Sequence, residues 1–196
     1  MSTDITPNVA SQRPMRADAR RNYDKLIAAA REAFTEDDST ASLEDIARRA
    51  QVGIGTLYRH FPTRKDLLAG VYQEEVEALC RSADDFADLP PWEALAGWLH
   101  RFVGYAATKK ALAQELVNVD PEDQAFRSCR DAVNATGNAL LERARAAGVV
   151  RPDAAFSDIG RMVGSIATMR GAEPEQIERI LDLALDGLRY RPTPEG

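Results

Sequence analysis

Cysteine and histidine are scarce in this sequence, and it contains no long apolar run. Two cysteines and two histidines among 196 residues are too few for a disulfide framework or a metal cluster. We therefore expect Cys80 and Cys129 to stay reduced, as in cytosolic proteins. No stretch approaches the ~18 consecutive apolar residues of a membrane-spanning helix, and residues 1–17 lack a hydrophobic signal region. These absences predict a cytoplasmic protein that holds no metal.

The sequence also lacks the short motifs of common enzyme classes. It has no H-E-x-x-H, no phosphate-binding glycine loop, no G-x-S-x-G and no Cys-His pair that spacing brings together. His100 lies among aromatic residues, where a histidine is more often part of a core than a ligand or a base. We therefore expect no enzymatic activity and no cofactor.

Strand-like alternation and internal repeats are absent as well. The 44% hydrophobic and 29% charged residues are typical of an ordinary globular protein. The net charge of -6 is unevenly distributed, because residues 1–68 hold 11 basic and 10 acidic side chains whereas the other 128 residues hold 14 and 21. The sequence predicts an all-α fold of about nine helices, with an acidic C-terminal part.

The most informative segment runs from Ser42 to Leu68. Ser42 and Asp45 have the spacing of a capping box, in which the serine oxygen accepts from a first-turn amide and the carboxylate reaches back. Apolar residues at i, i+3, i+4 and i+7 then predict a helix with one buried face: Leu43, Ile46, Ala47 and Ala50.

A second short helix follows at once. Gly53 and Gly55 bracket a tight connection, and the second helix ends at His60. Thr63 and Asp66 repeat the capping-box spacing at the start of a longer helix. A helix, a turn and a second helix in this order are what a helix-turn-helix reader of DNA requires.

Charge distinguishes this segment from the rest of the chain. Between Ile46 and Lys65 there is no acid, and there are five bases: Arg48, Arg49, Arg59, Arg64 and Lys65. On a chain with net negative charge, such a segment indicates a surface for phosphate, although any solvated helix pair can carry arginine. Thr56, Tyr58 and His60 add donors that can reach phosphate oxygens and base edges.

The run I-G-T-L-Y-R-H-F-P-T-R-K-D-L-L at residues 54–68 resembles the signature of the TetR family of transcriptional repressors. The resemblance is close over residues 20–70, and beyond them only the helical layout agrees. It implies DNA contacts from Thr56, Tyr58 and His60, and a phosphate contact from Arg64. The candidate DNA-binding residues are Ser42, Arg48, Gly53, Ile54, Gly55, Thr56, Tyr58, Arg59, His60, Arg64 and Lys65.

The turn between the two helices departs from the family pattern. The family commonly has G-V-S here, whereas this chain has Gln51, Val52, Gly53 and Ile54. We therefore expect Gln51 to adopt a left-handed conformation, which costs a residue other than glycine ~1 kcal/mol. Any unusual DNA preference should originate in this turn.

Three segments are predicted. Residues 1–16 form a flexible basic arm, whose arginines either follow the minor groove or belong to a solvated tail. Residues 17–68 form the helix-turn-helix DNA-binding domain, which begins with a helix from Ala17 to Phe34. Residues 69–196 form an effector-binding and dimerisation domain. The fourth helix, from Arg64 to about Phe86, is shared by both domains.

The segment from Trp92 to Asn118 is apolar on more than one face, as in a helix that is buried or lines a cavity. The TetR resemblance implies an effector pocket among these helices. Simple core packing stays open as the alternative for each single residue. The candidate ligand-binding residues are Trp98, Phe102, Tyr105, Glu115, Phe126, Met162 and Ile166.

The last two helical segments carry stripes of apolar or small residues. Asp153 is expected to cap the first helix and Pro174 to open the second. In the TetR family the corresponding pair forms a four-helix bundle with a second subunit, whose symmetry matches a palindromic operator. Burial within one chain is the alternative. The candidate dimerisation residues are Gly160, Gly164, Ala167, Ile177, Ile180, Leu181, Ala184 and Leu188.

The sequence thus predicts a homodimeric repressor that binds a double-stranded DNA operator and is released by a small-molecule effector of unknown identity. Two alternatives stay open. One is a helix-turn-helix regulator without a small-molecule effector, acting as an activator or controlled by a protein. The other, less favoured, is a redox sensor that uses Cys80 or Cys129.

Overall fold

The computed structural model describes residues 12–35, 41–115 and 124–189, and the side chains of residues 17–34, 41–107 and 126–189. These residues contain no β-strand, so the predicted all-α fold is confirmed. None of their helices is long and apolar enough to cross a membrane. The helices are α1 (Gln12–Thr35), α2 (Leu43–Arg49), α3 (Ile54–His60), α4 (Arg64–Arg81), α5 (Pro91–Glu115), α6 (Gln124–Ala146), α7 (Phe156–Ala167) and α8 (Pro174–Leu188).

The start of α1 differs from the sequence-based expectation. The helix begins at Gln12 rather than at Ala17. Pro14 is compatible with this start, since an amide in the first turn has no intrahelical partner. The predicted arm at 1–16 therefore loses its last five residues to a helix, and residues 1–11 lie outside the described residues.

Two boundaries in the second half of the chain also differ. α4 ends at Arg81 instead of near Phe86, because Asp84–Phe86 form a separate 3-10 turn. Asp153 does not cap α7, whose N-cap is Ala155 without a side-chain hydrogen bond. The Asp153 carboxylate instead accepts two hydrogen bonds from Arg151, at 2.6 and 2.8 Å.

The chain divides into two compact units, Met1–Val71 and Tyr72–Gly196. In the first unit, the side chains of α1 to α4 share one apolar core. Burying such side chains is worth ~1.5–3 kcal/mol each, and this stabilises α2 and α3, which are too short to persist alone. The largest members of this core are Leu26, Phe34, Ile46, Leu57, Phe61, Leu67 and Leu68.

Both predicted capping boxes are present. The Asp45 amide donates to Ser42 Oγ at 3.1 Å, and the Ser42 amide donates to Asp45 Oδ2 at 3.2 Å. At α4, the Asp66 amide donates to Thr63 Oγ1 at 3.2 Å and the Thr63 amide donates to Asp66 Oδ2 at 2.9 Å. These bonds satisfy amides that have no partner within the helix, so they fix where α2 and α4 begin.

The end of α2 is a Schellman motif. The Gln51 amide donates to the Arg48 carbonyl at 3.1 Å, and the Val52 amide donates to the Ala47 carbonyl at 3.0 Å. This pattern requires a left-handed residue just after the helix, and Gln51 has φ 55°. The expected left-handed conformation of Gln51 is confirmed.

In the second unit, Phe156 and Trp98 lie at the centre of the core. A Cβ atom on Gly137 would lie 2.0 Å from the Phe156 ring, so that ring rests directly on the backbone of α6. Trp98 packs 5.9 Å from Phe156, and its indole N–H donates to the Leu79 carbonyl at 3.0 Å. These contacts join α4, α5, α6 and α7 within this unit.

Candidate functional site

The helix α3 presents a nearly continuous exposed face. Leu57 is fully buried and anchors the helix, whereas Ile54 is 39% exposed and Tyr58 is 44% exposed. Gly53, Gly55 and Arg59 are also exposed, and Thr56 is half-buried. A short helix that buries one residue and leaves most of the others at least partly exposed is the geometry of a recognition helix that enters a major groove.

The two glycines of this face are not required by the fold of the chain itself. A Cβ atom at Gly53 or Gly55 would meet nothing within 4 Å, and neither glycine has a positive φ. Gly53 is the N-cap of α3, with φ -62°. Glycine at such positions permits close approach of a partner's backbone.

Some of the predicted phosphate-contacting residues already have partners within their own unit. Arg64 donates to the Ala41 carbonyl, and its guanidinium lies 4.9 Å from the centroid of the Phe34 ring. Arg48 forms an exposed ion pair with Asp45. The contacts of Arg64 attach the start of α4 to the end of α1, and its phosphate contact stays a prediction.

An acid lies close to the recognition helix. The Tyr58 hydroxyl lies 3.4 Å from Glu44 Oε1, a long and weak hydrogen bond. Glu44 precedes Tyr58 by 14 residues and belongs to the first turn of α2. The acid-free segment of the sequence therefore has a carboxylate beside it in space, which the linear charge pattern did not reveal.

His60 contributes to packing as well as to the candidate surface. Its ring lies edge-on to Tyr23, with centroids 6.0 Å apart, and 6.2 Å from the Phe61 ring. It is half-buried. These contacts orient the end of α3 against α1, and a DNA contact from His60 stays a prediction.

The second unit contains a cavity of about 430 Å³ between α5, α6 and α7. This volume falls within the ~300–1,000 Å³ of typical small-molecule sites. Its floor is apolar and buried, and its rim is polar and exposed. The lining residues are Phe102, Tyr105, Arg130, Val133, Asn134, Phe156, Ser157, Gly160 and Arg161.

Of the predicted ligand-binding residues, Phe102 and Tyr105 line this cavity. Trp98 has no exposed surface and is a core residue behind the cavity. Phe126 stacks on Tyr72, with ring centroids 5.2 Å apart.

Two further candidates, Met162 and Ile166, are not among the described residues that line this cavity. Ile166 is buried and Met162 is half-buried. The side chain of Glu115 lies outside the described residues. Sequence reasoning missed the polar rim, whose members come from α6 and α7 and meet only in the folded chain.

A buried pair of tyrosines stands at one end of the cavity. The hydroxyls of Tyr72 and Tyr105 lie 2.9 Å apart. Burial, together with the neighbouring Tyr72, raises the pKa of Tyr105, and burial raises the pKa of Tyr72. Both side chains therefore stay neutral at physiological pH, and one hydroxyl donates a hydrogen bond to the other.

The predicted dimerisation residues differ in how far their own chain buries them. Leu181 is fully buried and Ala167 is 7% exposed within their own chain, so these two assignments are corrected to core positions. Gly164 faces open space, and Gly160 lines the cavity. Leu183, which the sequence analysis did not select, is 73% exposed. The half-buried candidates on α8 are Ile177, Ile180, Ala184 and Leu188.

Within the described residues, no group of three or more histidine, cysteine or acidic side chains could hold a metal ion. Cys129 is buried and Cys80 is half-buried, and neither forms a disulfide. His100 is not a core residue as expected, because its ring is partly exposed and contacts Glu178 at 2.6 Å and Asp182 at 3.2 Å.

Comparison with known proteins gives consistent matches over most of the chain. A family model described as "Bacterial regulatory proteins, tetR family" matches residues 26–71. A second model, described as "Transcriptional regulator SbtR-like, C-terminal domain", matches residues 90–190. The first match lies within the first compact unit and the second match within the second.

Two solved structures are similar along nearly their whole length. The TetR transcriptional regulator SCO0520 from Streptomyces coelicolor is 42% identical, with a TM-score of 0.72 over 85% of this chain and 98% of that one. A TetR transcription regulatory protein from Mycobacterium vanbaalenii is 34% identical, with a TM-score of 0.74 over 90% and 100%.

Curated relatives match the N-terminal part. The HTH-type transcriptional regulator SAR0097 from Staphylococcus aureus is 32% identical over 77 residues, 38% of this chain and 40% of that protein. The chain thus spans less than half the length of this relative. From the helix-turn-helix geometry and the two family models, the chain belongs to the TetR family of bacterial transcriptional regulators.

Proposed function

We propose that this regulator is a repressor that binds a palindromic operator as a homodimer and leaves it when a small molecule binds the second unit. The observation that carries the proposal is the exposed face of α3, which combines glycines, short polar donors and bases. On such a face, basic side chains can bind phosphate oxygens, and neutral donors can bind the edges of the nucleobases.

The roles of the α3 residues follow from their chemistry. Thr56 is a groove contact, because a short hydroxyl can pair with either kind of base-edge group. Tyr58 is a phosphate contact, because its hydroxyl stands on the exposed side of the helix. Arg59, next to it, is exposed and adds positive charge toward the backbone of the duplex.

Dimerisation rests on the exposed part of α7 and α8. Leu183 is 73% exposed, and Met169, two residues after the end of α7, is 42% exposed. If a second copy of the chain covers these side chains, the dimer has two recognition helices related by a two-fold axis. Such a pair of helices matches two operator half-sites ~34 Å apart.

Release by a ligand is a population shift. The cavity between α5, α6 and α7 gives a ligand a place to bind more tightly in a conformation that does not fit the operator. Differential affinity for the two states is what such a shift requires.

Selection of bound sequences from random duplexes tests the proposal. We expect enrichment of a palindrome, a changed preference for Thr56→Ala, and weaker binding to all sequences alike for Tyr58→Phe. Arg81→Gln, which removes an exposed arginine of α4 far along the chain from α3, is the matched control and should bind as the parent protein does. Recovery of sequences without any common element would contradict the proposal.

A further inference from the structure

The cavity of the second unit carries a charge pattern that indicates the class of its ligand. Among the described residues that line it there are two arginines, Arg130 and Arg161, and no acid. The surrounding residues 69–196 hold 21 acidic and 14 basic side chains. Two basic side chains without an acidic one in the described lining, within an acidic domain, favour an anion.

The two halves of the cavity differ in polarity. The floor consists of Phe102, Tyr105, Val133 and Phe156, all of which are buried. Four polar rim residues are exposed: Arg130, Asn134, Ser157 and Arg161. An apolar floor with a few polar groups at one side suits a ligand that has an apolar body and one polar end.

The arginines are placed for this polar end. Arg130 and Tyr105 both line the cavity, and the Arg130 charge opposes in part the rise that burial causes in the pKa of Tyr72. For Arg161, no ion pair to another described residue occurs. A guanidinium binds a carboxylate with two parallel hydrogen bonds, and Asn134 and Ser157 can donate further ones.

A neighbouring cavity of about 440 Å³ has no excess of basic side chains in its described lining. It shares Asn134, Phe156 and Ser157 with the first cavity, but it also contains Glu142 and Arg145. These two side chains form an ion pair, so the charge of this second cavity is neutralised. The anion therefore belongs in the first cavity.

We propose that the cavity between α5, α6 and α7 binds an amphipathic carboxylate, with its apolar body on Phe102, Tyr105 and Phe156 and its carboxylate at Arg130 and Arg161. This inference rests on the proposed function, since it gives the chemical class of the effector. The cavity volume of about 430 Å³ limits the size of the ligand. A small aryl-substituted acid or a medium-chain fatty acid is the largest that we expect it to hold.

Matched pairs of probes test the charge requirement. Phenylacetate, 4-phenylbutyrate and octanoate, each compared with its neutral amide, are titrated into the full-length chain and followed by calorimetry. Trp98 is a second reporter, because its ring lies 5.9 Å from both Phe102 and Phe156. In a Trp92→Phe background its fluorescence is observed alone.

We expect at least one carboxylate to bind about tenfold more tightly than its amide, because a charged hydrogen bond is stronger than a neutral one. Arg161→Gln and Arg130→Gln should each reduce that preference several-fold. Arg127→Gln removes an exposed arginine of the same helix α6 that does not line the cavity, and it should retain the preference. Melting temperatures of the variants confirm that each one folds.

The inference is overturned if no carboxylate binds better than its amide, or if the preference survives in both cavity variants. Operator binding is measured separately, so the two proposals fail independently. A carboxylate that binds without weakening operator binding refutes release by this ligand and leaves the ligand class standing. A neutral compound that binds in this cavity and releases the operator refutes the ligand class. It leaves the proposal of ligand-induced release intact.

Discussion

Replacing Gln51 by glycine should stabilise the protein. Gln51 occupies the left-handed position of the Schellman motif that ends α2, with φ 55°, and its side chain is exposed. The substitution therefore removes no buried contact and retains both backbone hydrogen bonds of the motif. The strain of a side chain at positive φ is the property that changes.

The magnitude follows from two opposing terms. A side chain in the left-handed region costs ~1–2 kcal/mol, which glycine avoids. Glycine also gives the unfolded chain more freedom, which costs ~0.5–1 kcal/mol. The expected net gain in the free energy of unfolding is ~0.5–1 kcal/mol. For a chain of this length 1 kcal/mol raises Tm by roughly 2–4 °C, so Tm should rise by ~1–4 °C.

The chain contains its own matched control. Gly148 ends α6 in the same motif, with φ 69°, where the amides of Gly148 and Val149 donate to Arg145 and Ala144 at 2.9 and 3.2 Å. Gly148→Ala should therefore lower the free energy of unfolding by ~1 kcal/mol. Urea unfolding followed by circular dichroism measures both variants.

Gln51→Ala separates strain from side-chain identity. Alanine keeps the Cβ atom that causes the strain, so this variant should be about as stable as the parent protein. If Gln51→Gly is no more stable than Gln51→Ala, the reasoning about left-handed strain at this turn is refuted.

Three further predictions concern the helices α2 and α3. Glu44→Gln should tighten DNA binding several-fold at low salt in fluorescence anisotropy, because it removes a carboxylate 3.4 Å from the Tyr58 hydroxyl that repels phosphate; unchanged affinity would contradict this. The pKa of Asp45 is lowered chiefly by hydrogen bonds from Ser42, so its stabilising effect is complete above the ordinary value of 3.8 and is lost as the pH falls further. The difference in urea stability between Asp45→Asn and the parent protein should therefore shrink below that pH. Gly55→Ala should raise the free energy of unfolding by ~0.5–1 kcal/mol but weaken operator binding; a variant that is more stable and binds equally well would show that no partner approaches this glycine.

The features that the sequence predicted well are determined by short-range interactions. The capping boxes at Ser42 and Thr63 depend on residues three positions apart, and the left-handed Gln51 depends on the turn around it. Such features can be read from spacing because the two partners belong to one turn of chain. The same holds for the TetR signature at residues 54–68.

The features that it predicted poorly depend on which elements meet. The apolar stripe of α8 is visible in the sequence, but only the packing shows that Leu181 faces the core of its own chain while Leu183 faces outward. The contact between Glu44 and Tyr58 joins two helices. Helical periodicity indicates that a face is covered, and it does not indicate by what.

The cavity illustrates the same limit. An aromatic-rich segment indicated walls on α5, and Phe102 and Tyr105 are indeed lining residues. Arg130 and Arg161, which give the cavity its charge, lie on two other helices and carry no local signal. Trp98 shares the apolar pattern of its neighbours, yet it is buried behind them.

The salt dependence of operator binding tests the central claim most directly, because phosphate contacts from the α3 surface must release counterions from the duplex. With the selected duplex, the logarithm of the association constant should fall linearly with the logarithm of salt concentration. Arg59→Gln removes one phosphate contact from each of the two protomers, so it should make that slope shallower by about two per dimer, while Arg81→Gln leaves it unchanged. An association constant that does not depend on salt, or an equal slope for Arg59→Gln, would contradict a phosphate-binding role for this surface.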